Sequence, residues 1–147
     1  MIKFSVMGEP RGKQRPKAQN MGKYIHIYTP QATINYENYI KLSYLDALER
    51  SKGTLEPLSQ YLNKETMLEA KISIFQSIPK STSKKKALLM LEGNIRPIKK
   101  PDIDNILKSV FDGLNGIAFK DDTQIIRIQT EKFYSNEPRI DIEIKEI

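Results

Sequence analysis

The sequence predicts an α/β protein of α+β organisation, a small mixed β-sheet of about five strands with helices packed against it and a hairpin at its C-terminal end. Three observations carry that reading. Runs with alternating apolar residues mark half-buried strands, two stretches repeat apolar residues at helical spacing, and glycine- or proline-containing turns separate them. The order reads β-loop-β-α-β-α-α-β-β, with no internal repeat.

Ile2, Phe4 and Val6 alternate with Lys3 and Ser5, which predicts a first strand over 2–7. Residues 8–22 combine three glycines and two prolines with basic residues and few large apolar groups, and read as a long mobile loop. Its GEPRGK is one residue short of a phosphate-binding loop and is followed by Gln14 rather than Ser or Thr, so no nucleotide cofactor is expected. Lys23 to Tyr28 resumes a strand pattern. Thr29-Pro30 then opens a helix over 30–51, on which Tyr36, Tyr39 and Tyr44 are expected to bridge core and surface rather than stack on bases.

Leu68, Ala70, Ile72 and Ile74 alternate with polar residues and predict a strand over 66–77. Ser81, Thr82 or Ser83 can cap a short helix that Gly93 ends. The clearest helix runs over 103–115, with Ile103, Ile106, Leu107, Val110 and Leu114 on one face and Gly116 after it. Ile126 and Ile128, then Ile140, Ile142 and Ile144, mark two strands joined by the turn-forming SNEP, read as an antiparallel hairpin.

At 147 residues the chain fits a single domain spanning 1–147, long enough to bury a core without staples. It has no cysteine, which excludes disulfides, thiolate metal sites and cysteine nucleophiles and suits a reducing compartment. No membrane-length apolar run and no signal-peptide pattern occur, so a cytoplasmic location is expected.

The net charge of +6 is concentrated in two blocks. Residues 79–100 hold seven basic residues against Glu92, and residues 1–30 hold six against Glu9. One such run is ordinary solvated surface, whereas two flanking an acidic remainder point to a polyanion. Arg11, Lys13, Arg15 and Lys17 in the first block, and Lys84, Lys85, Lys86, Lys99 and Lys100 in the second, are the candidate DNA-phosphate contacts. His26, the only histidine, falls in an apparent surface strand and is not expected to act as a base.

Asp102 and Asp104 straddle the start of the 103–115 helix, with Lys108 one turn after Asp104 and Asp112 a turn further on. Asp121-Asp122 follows, and chain reversal at Asn115-Gly116 is expected to return it toward the first pair. Clustered carboxylates repel unless a cation neutralises them, and hard oxygen donors suit Mg²⁺ or Mn²⁺ rather than zinc. On spacing alone the same aspartates serve equally well as helix caps and turn formers.

The run Lys100-Pro101-Asp102-Ile103-Asp104-Asn105-Ile106-Leu107-Lys108, followed by Asp112-Gly113-Leu114-Asn115-Gly116 and Lys120-Asp121-Asp122-Thr123-Gln124-Ile125, resembles the signature of the RusA family of Holliday junction resolvases. The resemblance implies that Asp102, Asp104 and Asp122 are the essential acidic groups and metal ligands, with Lys108 at the essential lysine position. It also implies a Mg²⁺-dependent endonuclease that makes paired symmetric cuts in branched DNA as a homodimer. Pro101 stands where some members have arginine, and the N-terminal half is longer and more basic than in compact members. A non-catalytic branched-DNA-binding protein and a nuclease for flaps or forks are the alternative readings.

Overall fold

The computed structural model describes residues 1–51 and 61–147. Its main sheet has four strands in the order β1-β6-β4-β5, with β1 at Ile2–Met7, β4 at Leu68–Ser77, β5 at Ile125–Ser135 and β6 at Arg139–Glu146. Strands β2 (Lys17–Asn20) and β3 (Ile25–Tyr28) form a separate two-stranded ribbon. The expected sheet of about five strands is therefore a mixed sheet of four beside a ribbon of two. The helices are α1 (Gln31–Ser51), α2 (Lys84–Leu91) and α3 (Ile103–Leu114).

Alternation fixes which side chains face inward, and register aligns them across strands. Val6, Ile140 and Ile74 share one rung, and Phe4, Ile142 and Ile72 the next. All six are buried, together with Leu68, Ala70 and Ile144. Helices α1 and α3 close this face through Tyr36, Ile40, Tyr44, Ile106, Val110 and Leu114. Each such side chain contributes about 1.5–3 kcal/mol on full burial. The helices approach closely at Gly113, where an added Cβ would lie 2.9 Å from the Glu37 carbonyl oxygen.

The C-terminal strands differ from the expected hairpin. β5 and β6 run antiparallel, as read from the sequence, but β4 lies between them, parallel to β5 and antiparallel to β6. The link over 136–138 passes across the end of β4. Two inter-strand spacings amount to about 9.6 Å, within the reach of four residues at about 3.3 Å each. Period-two patterning states which face is buried and is silent on partner choice. The isoleucines of β6 gain most cover beside β4, whereas Ile126 and Ile128 of the edge strand β5 stay 59% and 44% exposed.

The basic segment 8–22 also departs from the mobile loop expected. Its second part is β2, paired with β3 from Lys17↔Tyr28 to Asn20↔Ile25. Both ribbon strands are exposed, and His26 stacks on Tyr28. Among the described residues no helix is long and apolar enough to cross a membrane.

Candidate functional site

The site is built around the N-terminal end of α3. Asp102 occupies the N-cap with extended backbone (φ −74°, ψ 157°), yet its side chain makes no capping hydrogen bond. Its carboxylate instead accepts from the Asn105 side-chain amide at 2.8 Å. That amide, the residue's own backbone N–H, a hydrogen bond with Asp104 and the nearby Lys100 charge hold Asp102 below the usual carboxylate range. Asp102 and Asp104 are thus brought together, both exposed, at the positive end of a helix. Lys108 approaches Asp104 at 3.4 Å from one turn along.

The strand β5 fixes the approach to this end. The Lys132 ammonium donates to the carbonyl oxygens of Lys99 and Pro101 at 2.7 and 2.9 Å, and Gln76 donates to the Lys100 carbonyl at 3.4 Å. Desolvation lowers the pKa of Lys132, and the Asp102 charge acts in the opposite direction. Arg96 in turn donates to the Lys132 carbonyl at 2.6 Å, pairs with Glu131 at 2.9 Å and lies over the Phe133 ring. Neither Lys132 nor Gln76 was legible as a site residue. They lie on strands far from α3 in the chain, and only sheet formation brings them beneath it.

The N-terminal loop is pinned against the same end. Lys13 N–H donates to the Asn105 carbonyl at 2.9 Å, and Gln14 N–H donates to the buried Thr33 hydroxyl at 3.1 Å. A Cβ on Gly12 would lie 3.0 Å from Asn105 and 3.1 Å from Pro101, tighter than ordinary contact, so glycine suits this close approach. The Lys13 ammonium pairs with Asp112 and reaches Glu37 at 3.8 Å. Lys13, expected as a phosphate contact, is therefore engaged inside the protein. Arg11, Arg15, Lys17, Lys84, Lys85, Lys86, Lys99 and Lys100 make no ion pair among the described residues. The lysines of α2 begin directly after the Ser83 cap, which accepts from Lys86 N–H at 3.3 Å.

The chain turns back after α3, with Gly116 at φ 76°. Asp121 caps a 3₁₀ turn at Asp122–Gln124 by accepting from Thr123 N–H at 3.0 Å. Gln124, buried, accepts from Lys120 and Asp121 N–H and donates to the carbonyls of Tyr61, Asn63 and Thr66. One aspartate of the pair is thus a turn former, while Asp122 is left out of the cap. Desolvation, followed by the charges of Asp121 and Asp112, pushes the Asp122 carboxyl up. The reversal places Asp122 in the field of Asp112, two turns down α3 from Asp104. Among the described residues no three acidic or histidine side chains stand together as a metal-ligand group.

The family model for endodeoxyribonuclease RusA matches residues 7–145. The chain belongs to the RusA family. As a member it is a nuclease, a hydrolase acting on DNA, and the pinned loop, the α3 terminus and the 3₁₀ turn all fall inside the matched span. The chain is also 32% identical over 152 residues to a Bacillus subtilis (strain 168) protein named uncharacterized protein YqaN, covering 99% of this chain and 96% of that protein.

Proposed function

We propose that this RusA-family protein is a Mg²⁺-dependent, structure-selective endonuclease that resolves four-way DNA junctions by paired symmetric cuts, acting as a homodimer. The observation that carries the reading is Asp102. It sits at a helix N-cap without capping, is held ionised, and meets Asp104 at an exposed helix terminus.

The donor set fits the ion. Mg²⁺ keeps several waters and is commonly held by one or two carboxylates together with substrate phosphate oxygens. Asp102 and Asp104 would hold it, and Asp122 is assigned as third ligand on the family resemblance. Bound there, Mg²⁺ would supply a Lewis acid and a bound water of lowered pKa, and Mn²⁺ has the same donor preference.

The chain's own groups do the positioning. Asn105 orients the Asp102 carboxylate, and Lys132 holds the backbone that carries it. The exposed Lys108 ammonium stands beside Asp104, where it offsets negative charge developing on a phosphate. Arg11, Arg15, Lys17, Lys84, Lys85, Lys86, Lys99 and Lys100 supply the sequence-independent grip on phosphates. A two-fold junction is cut symmetrically by two sites related by one axis, which is the argument for the dimer.

The test is cleavage of a mobile four-way junction in Mg²⁺ by the wild-type chain and by Asp102→Asn, Asp104→Asn and Asp122→Asn. Loss of cleavage with retained junction binding is expected for each. Full activity in Asp102→Asn overturns the assignment, and equal cutting of flap, linear and four-way DNA overturns the substrate.

A further inference from the structure

The pinned N-terminal loop and the α3 terminus enclose a cleft of about 510 Å³ that opens beside Asp102. The volume lies within the range of built ligand sites, roughly 300–1,000 Å³. Ala32 and the buried Tyr36 of α1 line one wall, and Arg11, Gln14 and Lys100 stand on the others. The charged groups here are mixed. Arg11 and Lys100 have no ion-pair partner among the described residues, Lys13 is engaged by Asp112 and Glu37, and Asp102 supplies the one carboxylate of the lining.

The backbone of this loop is unusually constrained for a segment with so little apolar content. Gly12 is packed on Asn105 and Pro101, Lys13 N–H is bonded to α3, and Gln14 N–H is bonded to α1. Core formation does not account for these ties, because Arg11 and Gln14 are exposed. What the ties fix is the position of those two side chains relative to Asp102. The Gln14 carboxamide makes no hydrogen bond among the described residues, and an amide of this kind pairs with a base edge through one donor and one acceptor.

Resting on the nuclease reading above, we propose that this cleft seats an unpaired nucleotide next to the scissile phosphate, with Gln14 reading its base and Arg11 and Lys100 holding its phosphates. The cleft is then the part of the protein that selects where along a junction the cut falls. Nucleotides at a branch point are those most readily unstacked, so the subsite favours branch points as well as particular bases.

The experiment maps cut sites on a mobile junction whose core migrates through many dinucleotides, using wild type, Gln14→Ala and Gln14→Glu. Wild type should show a preferred set of sites. Gln14→Ala should reduce the ratio of best to average sites by about tenfold, the scale of one base-edge contact, and Gln14→Glu should shift the preferred base. A junction carrying an abasic residue beside the preferred cut should erase the wild-type preference as well. An unchanged distribution in both variants overturns the subsite while leaving the nuclease assignment intact. Absence of junction cleavage by wild type overturns both.

Discussion

Lys132 on β5 donates to the carbonyl of Pro101 at 2.9 Å, one residue before the Asp102 N-cap. An ammonium spent on backbone carbonyls beneath an acidic pair is a positioning device. It fixes where the pair stands without touching a substrate.

Removing that device should therefore separate catalysis from binding. Lys132→Met is expected to slow single-turnover junction cleavage by about ten- to a hundredfold, the scale of a displacement near 1 Å. Junction affinity should change by no more than about twofold, and Lys132→Arg should restore part of the rate. Equal losses of rate and affinity would show that Lys132 instead contacts DNA.

The Lys13 link to Asp112 raises the lysine pKa, first through the hydrogen bond and then through the charges of Asp112 and Glu37, against a desolvation that lowers it. A raised folded-state value means that this stabilisation is fully present below pH 10.5 and is lost as pH climbs through the raised value. With a third of each side chain exposed, its size is about 1 kcal/mol or less. Urea unfolding should show wild type converging on Lys13→Met as pH passes 10.5. A constant gap between them across that range would contradict the linkage.

Gly113 tests the α1–α3 contact. A Cβ there lies 2.9 Å from a backbone oxygen and 3.1 Å from Ile40, so the helices must move apart. Gly113→Ala should cost about 1–3 kcal/mol, the usual range for overpacking, despite the better helix propensity of alanine. Thermal unfolding that shows unchanged or raised stability would refute the close approach.

Electrostatic grip by α2 is measurable as salt dependence. Replacing Lys84, Lys85 and Lys86 together by alanine should lower the magnitude of the log–log salt slope for junction binding by about 2–3, close to 0.9 for each phosphate that is no longer neutralised. An unchanged slope would place the DNA on another face.

Local patterning alone marks the helices predicted over 30–51 and 103–115, the main strands, the inward isoleucines and the two basic blocks. It also places Asp102 at the cap and Asp104 in the first turn of one helix end, where the extended N-cap backbone lets their carboxylates meet. These features are local, set by periodicity, capping and charge within a few residues.

The remaining arrangements are long-range. The insertion of β4 between β5 and β6, the pinning of the basic loop, the diversion of Lys13 to Asp112 and the placing of Lys132 beneath Asp102 join segments distant in the chain. Asp122 shows the difference most clearly. Its turn was legible in Asp121-Asp122-Thr123-Gln124, but its neighbours depend on where Gln124 anchors that turn against residues 61–66. A pattern of period two or 3.6 reports which face of an element is buried. The partner that buries it is chosen by the packing of the whole core.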